Sequence, residues 1–308
     1  MTAQGQAPTL AKVWFVLILG VVAVSTSSIF IRLAMATAGE QGIGFSLFIA
    51  ATRLVFASVL LAPTWRTVAT SRPTKTALGY AIAAGIALAL HFSLWISSLS
   101  FISVAASTSL VTTNPIWVAL ISWLWLGEKL SRQKTFGIGL GILGSGLVAS
   151  GAGEMGGSGS PILGAFLALA GSWAVSFYVL WGREAQAQGL TIRNYAAIAY
   201  TTAAVFLLPM PWLFGVGYAG YPLAVYGYIL LMAAIAQLFG HTSLNWSLRW
   251  LSPVTVTLLV LCEPVIASIL GFFVLKEIPS LSVIMGGCII FLGVAIAVFQ
   301  RPIKSKAA

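Results

Sequence analysis

The sequence predicts an all-α membrane protein of ten transmembrane helices, arranged as two inverted-topology five-helix repeats around a central cavity. Three observations predict it. Hydrophobic residues make up 59% of the 308 residues and charged residues only 7%, where soluble domains carry about 25% charged. With a mean hydropathy of +1.00 the chain has too little polar surface to cover a globule in water, so lipid must solvate most of it. Second, ten stretches are predominantly apolar over about the 20 residues that a bilayer-spanning helix needs. Third, Ser103 to Gly144 repeats as Ser252 to Gly293 at a constant offset of 149, with eleven of 42 positions identical. The matches include Ser103/Ser252, Thr108/Thr257, Pro115/Pro264, Glu128/Glu277, Ser131/Ser280, Gly137/Gly286 and Gly144/Gly293. A period of nearly half the chain marks an internal repeat.

In chain order the expected spans are 13–35, 45–65, 76–98, 103–126, 134–151, 161–181, 194–214, 225–247, 253–275 and 281–300. The first has Lys12 before it and Ala34-Met35-Ala36 near its end, the outline of a cleaved leader. Its apolar run is too long for one, and further spans follow. Gly- and Ser-rich Gly151–Ser160 is the clear linker. It divides a first repeat, 1–151, from a second, 161–308, with 152–160 between them.

Loop charge sets the orientation. With the N-terminus in the cytoplasm, thirteen Lys and Arg (Lys12, Arg66, Arg72, Lys75, Lys129, Arg132, Lys134, Arg183, Arg193, Arg249, Arg301, Lys304, Lys306) fall inside, and two, Arg32 and Lys276, outside. The positive-inside rule then expects both termini in the cytoplasm. Five spans per half is an odd number, so the second half enters from the opposite side. Glu128 and Glu277 then face opposite sides of the membrane, as in the inverted repeats of transporters.

The run Asn114-Pro115-Ile116-Trp117 to Leu126-Gly127-Glu128, paired with Glu263-Pro264-Val265 to Leu275-Lys276-Glu277, resembles the double signature of EamA-type proteins in the drug/metabolite transporter superfamily. General likeness and aromatic content place it nearest the YddG-type exporters of aromatic and other amino acids. The resemblance implies a ten-helix, basket-like bundle with a central cavity. The halves differ where span four has Asn114 and span nine Glu263.

Polar stripes at helical spacing mark the candidate binding residues. They are Ser25, Ser28 and Arg32 in span one, Tyr80, His91 and Trp95 in span three, Ser103, Ser107 and Asn114 in span four, and Gln237, His241 and Asn245 in span eight. At bilayer depth such residues are costly unless paired or wet. A single serine can instead bond its own helix. His91-Phe92-Ser93-Leu94 echoes His241-Thr242-Ser243-Leu244 at an offset of 150. That echo places Trp95 and Trp246 near two gates or, equally, at the interfaces with Trp14, Trp65, Trp181, Trp212 and Trp250. Trp117 and Trp173 lie nearer mid-span, and Trp173, Phe177 and Tyr178 would form an aromatic wall or ordinary packing.

Pro115 and Pro264 each free the carbonyl four residues back, at Val111 and Val260. Those carbonyls would take a substrate amine or water, or be satisfied by nearby hydroxyls. Glu263 and Arg53 are the ionisable residues deepest in apolar sequence. Glu263 would carry a coupling proton or serve a structural pair. Arg53 would pair with an acid or snorkel. Gly137, Gly141 and Ser145 form a small-residue ladder for helix packing.

The function expected is export of small amphiphilic metabolites, above all aromatic and bulky apolar amino acids, across the cytoplasmic membrane. A broad drug or nucleobase exporter is the nearest alternative. Six acids, two histidines and no nucleophile–base pair speak against a membrane-embedded enzyme. No ring of charges or carbonyl filter marks a pore. The net charge of +10 serves topology, with no basic cluster interleaved with aromatics for nucleic acid. Cys262 and Cys288 have no metal or disulfide spacing. No cofactor or metal is expected, the partners are the bilayer and a small solute, and two halves in one chain favour a monomer.

Overall fold

The computed structural model describes residues 8–102, 104–127, 130–150, 160–276 and 278–298. Ser103, Glu128, Lys129, Glu277, the linker residues 151–159 and the C-terminal basic residues Arg301, Lys304 and Lys306 lie outside them, so the paired exit acids are not placed.

Every regular element among the described residues is helical. The chain runs α1 (Leu10–Ala38), α2 (Ile43–Leu60), a single 3-10 turn, α3 (Trp65–Ser71), α4 (Lys75–Ser98), α5 (Val104–Val111), α6 (Asn114–Leu126) and α7 (Arg132–Ser150). It continues with α8 (Pro161–Ala187), α9 (Ile192–Leu207), α10 (Met210–Leu213) and α11 (Leu223–Leu231). A π-helical stretch (Met232–His241), α12 (Thr242–Ser247), α13 (Pro253–Val260), α14 (Glu263–Leu275) and α15 (Leu281–Val298) complete it.

Among the described residues, eight helical segments are long and apolar enough to cross a membrane, so this is a multi-pass membrane protein. They match expected spans one to three and six to ten. The α5–α6 pair, and α7, which opens on Arg132, Gln133 and Lys134 and contains five glycines, fall outside that set. Hydroxyl caps start several helices. Thr9, Thr74, Ser160, Thr191 and Ser252 each accept an N–H from three residues on, satisfying a donor that a helix start leaves open.

The repeat offset is visible in the backbone. Adding 149 to the bounds of α5 and α6 gives those of α13 and α14, and α7 begins 149 residues before α15. Gly127, after α6, and Lys276, after α14, are both left-handed, with φ of 67° and 59°. The two prolines do not lie inside continuous helical spans. Both chains break two residues earlier, at Thr112-Thr113 and Leu261-Cys262, and Pro115 and Pro264 sit in the first turn of a restarted helix. A proline there costs no intrahelical bond, because first-turn N–H groups have no partner anyway.

The same correspondence governs packing. α7 lies on α15, α4 on α8, and the α11–α12 segment on α1. A Cβ on Gly137 would come 2.5 Å from the Gly293 carbonyl oxygen, and one on Gly144 2.6 Å from that of Gly286. The partners ascend on one helix while descending on the other, so α7 and α15 run antiparallel. Gly20 against Ser243 and Gly240 against Val24 give α1 and the π stretch the same sense. At one end of the bundle, Tyr218 donates to the Leu208 carbonyl at 2.7 Å and Tyr226 to Tyr218. Both rings pack on Phe48. Desolvation in this loop pushes the Tyr218 phenol up to about 12, so it stays a neutral donor.

Candidate functional site

A narrow cavity opens where the broken helices α5–α6 and α13–α14 meet α1, α4, α8 and the π–α12 segment. Its free volume for water-sized molecules is about 60 Å³, well under the roughly 300 Å³ of a small-ligand pocket. A larger groove, about 500 Å³, lies between α6 and α7, but apolar Ile116, Leu120, Trp123 and Ile138 dominate its lining, with Thr135 the polar residue among those that line it.

The cavity wall is built in pairs from the two halves. Val111 and Val260 close α5 and α13, and Asn114 and Glu263 open α6 and α14; all four line the cavity. His91 and His241 line it too, as do Trp95 and Asn245, each pair 150 apart. Val24 and Ser27 of α1 answer Val175 and Tyr178 of α8 at an offset of 151. His91 lies 17 residues beyond the cap Thr74, whereas His241 lies 19 beyond Pro222. The wider π turns, a device frequent at functional sites, take up those two residues.

Several side chains are held firmly. His91 Nδ1 is bonded to the Gly171 carbonyl at 3.0 Å, and its ring stacks on Trp95. Asn245 Nδ2 donates to the Tyr178 hydroxyl at 2.5 Å and to the His241 carbonyl at 2.7 Å. Gln186 donates to the Asn245 carbonyl at 3.0 Å, tying α8 to α12. Other groups are left open. Asn114 Oδ1 and the Trp95 indole N–H are buried without a partner.

Nine of the residues expected from sequence therefore meet at one place: His91, Trp95, Val111, Asn114, Tyr178, His241, Asn245, Val260 and Glu263. The rest do not line it. Ser25 bonds back to the Val21 carbonyl, and Ser107 bonds Ser98. Tyr80 is half-buried several turns from His91, and Trp117 is half-buried with its indole N–H enclosed and unpartnered. Gln237 is fully buried with its amide unpartnered. The aromatic wall is divided by helical geometry. Trp173 is half exposed and meets Phe177, which meets Trp181, along one face of α8. Tyr178 looks into the cavity with Val175 and Val179 from the other. Trp246, expected at a gate or at an interface, is half-buried against exposed Trp250. Sequence reasoning missed Ser27, Thr112 and Thr257; the 151 offset that aligns α1 with α8 pairs Ser27 with Tyr178.

Arg53 stands one layer behind this wall. It is fully buried, with its guanidinium 4.1 Å from the centre of the Phe92 ring. Nη1 donates to Ser27 Oγ at 3.4 Å, and Nε and Nη2 have no partner. Among the described residues no three metal-ligating side chains cluster. The arrangement can bind and orient a small polar solute.

The EamA-like transporter family model matches twice, over residues 11–150 and 162–299. The chain belongs to that family. Among relatives, a protein of Streptantibioticus cattleyicolor named a probable terminal-alkyne amino-acid exporter is 26% identical over 291 residues, covering 92% of this chain and 93% of its own. The Bacillus subtilis uncharacterized transporter YvbV is 28% identical over 42% of this chain and 41% of its own. A solved crystal structure superposes with a TM-score of 0.72 at 14% identity, over 94% of this chain and 97% of that one. That likeness concerns the fold. EamA membership makes the chain a membrane transporter.

Proposed function

We propose that this EamA-family transporter exports amino acids, aromatic and bulky apolar ones included, across the cytoplasmic membrane by alternating access. The observation that carries the reading is the cavity lined pairwise by equivalent positions of the two repeats, at the breaks of α5–α6 and α13–α14. In this reading α5–α6 and α7 complete ten spans. The halves 1–151 and 161–308 are inverted, and the antiparallel α7–α15 seam supports that. Inverted halves have outward- and inward-open states of comparable energy around a central site. The present cavity is contracted, so loading requires one side to open. Polar groups of the wall would hold the backbone of an amino acid, and Tyr178, Val175 and Val179 its side chain. The full-length relative named as an amino-acid exporter supports the substrate class.

The test is counterflow in proteoliposomes with a panel of labelled amino acids, with and without a pH gradient. Saturable exchange of aromatic and apolar amino acids is expected. Non-saturable flux, or no exchange with any amino acid, refutes the reading. Glu263 on the wall favours one second reading, an exporter of cationic drugs. Glu263→Gln that abolishes cation efflux while amino-acid flux persists would select it.

A further inference from the structure

Arg53 and Glu263 are a buried guanidinium and a buried carboxylate that do not touch. Among the described residues no carboxylate lies within 4 Å of Arg53, although Glu263 stands on the wall of the cavity that Ser27, the partner of Arg53, also lines. Arg53 keeps its charge under all ordinary conditions and offers five N–H donors in a planar fork. Here one donor reaches Ser27, and those on Nε and Nη2 are unsatisfied. The Phe92 face offsets only part of the cost of a buried charge. Ser27, which Nη1 reaches, also lines the cavity, so the guanidinium stands one side chain from its interior.

Glu263 approaches the same space from the other half, at the break before α14. A buried charge left unpaired in a membrane span is costly. A direct Arg53–Glu263 ion pair would remove that cost, and the structure does not make one.

We propose that Arg53 and Glu263 are a split charge pair, the guanidinium recognising the carboxylate and Glu263 the ammonium of one zwitterionic α-amino acid. The inference rests on the transport reading above and deepens it. An α-amino acid carries both opposite charges on a single carbon, so one solute gives each buried group its missing partner. A molecule with only one of the charges leaves the other group bare, which is how a site built for a polar group rejects analogues lacking it.

The experiment is counterflow in proteoliposomes of the full chain loaded with labelled phenylalanine. External phenylalanine competes against phenylalaninamide, which lacks the carboxylate, and 3-phenylpropionate, which lacks the ammonium. Wild type is expected to prefer phenylalanine by about tenfold or more over each. Glu263→Gln narrows the gap to 3-phenylpropionate, and Arg53→Gln the gap to phenylalaninamide, each by about tenfold. A general loss of folding lowers all three together and leaves these ratios alone. Should Arg53→Gln fail to fold, Glu263→Gln decides by its own ratio, with Arg53→Lys keeping the wild-type order. Phenylalanine exchange with unchanged ratios in Glu263→Gln overturns the split pair and leaves the transport reading standing. No exchange of any amino acid by the wild type overturns both.

Discussion

Asn114 and Glu263 occupy one position of the repeat, the first residue of a restarted helix, and both look into the same cavity. One is neutral and one acidic, so two halves of similar backbone present a chemically one-sided site. The break that exposes them is shared. The proline at the second position of each motif has no N–H for the carbonyl four residues back and its ring crowds that carbonyl, so the helix cannot run through it unbroken, and the chain resumes with that proline in its first turn.

Asn114→Ala should separate binding from stability. The Oδ1 atom has no partner in the contracted cavity, so its removal deletes a buried acceptor that contributes no bond to the fold. Thermal unfolding in detergent is expected to stay near wild type. Half-saturation in counterflow should rise by about tenfold, the equivalent of one lost hydrogen bond of ~1–1.5 kcal/mol. A large drop in the unfolding midpoint with unchanged half-saturation would assign Asn114 to the fold alone.

Lys276→Gly should stabilise the protein. Lys276 holds φ at 59° after α14, where the first repeat has Gly127 at 67°. A side chain in the left-handed region costs about 1–2 kcal/mol, and glycine there restores the usual helix stop. The unfolding midpoint should therefore rise, while Gly127→Ala should lower it. Equal midpoints for both variants would show that the turn is relaxed by something other than its residue type.

Much of this architecture is legible in the sequence, because a bilayer enforces simple patterns. The apolar runs locate the helices, and the 149-residue offset maps α5, α6 and α7 onto α13, α14 and α15. Residue type alone did not separate the faces of a helix that is apolar all round. Trp173 and Tyr178 look equally suited to an aromatic wall in sequence, yet lipid takes one and the cavity the other. Serine was ambiguous for a different reason. Ser25 and Ser27 are both buried on α1, but Ser25 spends its hydroxyl on its own helix and Ser27 takes the bond from Arg53.

The α7–α15 seam offers a positional control. Gly144→Leu drives a side chain into the Gly286 carbonyl and the Ile290 backbone. Overpacking of that kind costs about 1–3 kcal/mol or more. Gly139 and Gly146 of the same helix have open space where a Cβ would go. Alanine at either should be neutral or stabilising by about 0.5–1 kcal/mol, because glycine inside a helix is entropically unfavourable. Thermal unfolding of the three variants checks the register of the seam. A seam displaced by one residue would reverse the order.

The two faces of α8 make opposite predictions for transport. Tyr178 lines the cavity and accepts from Asn245, which also holds the His241 carbonyl. Tyr178→Phe leaves that buried amide one partner short, so transport of aromatic amino acids should weaken about tenfold, and Asn245→Ala should do the same. Because Asn245→Ala already removes the Tyr178 bond along with the one to His241, the double variant should lose little more than Asn245→Ala alone, a non-additivity typical of residues in contact. Trp173→Ala removes a ring that is half exposed to lipid, and half-saturation for the same substrates should not change. If Trp173→Ala weakened aromatic substrates selectively while Tyr178→Phe did not, the binding face of α8 would be the one turned toward Phe177 and Trp181.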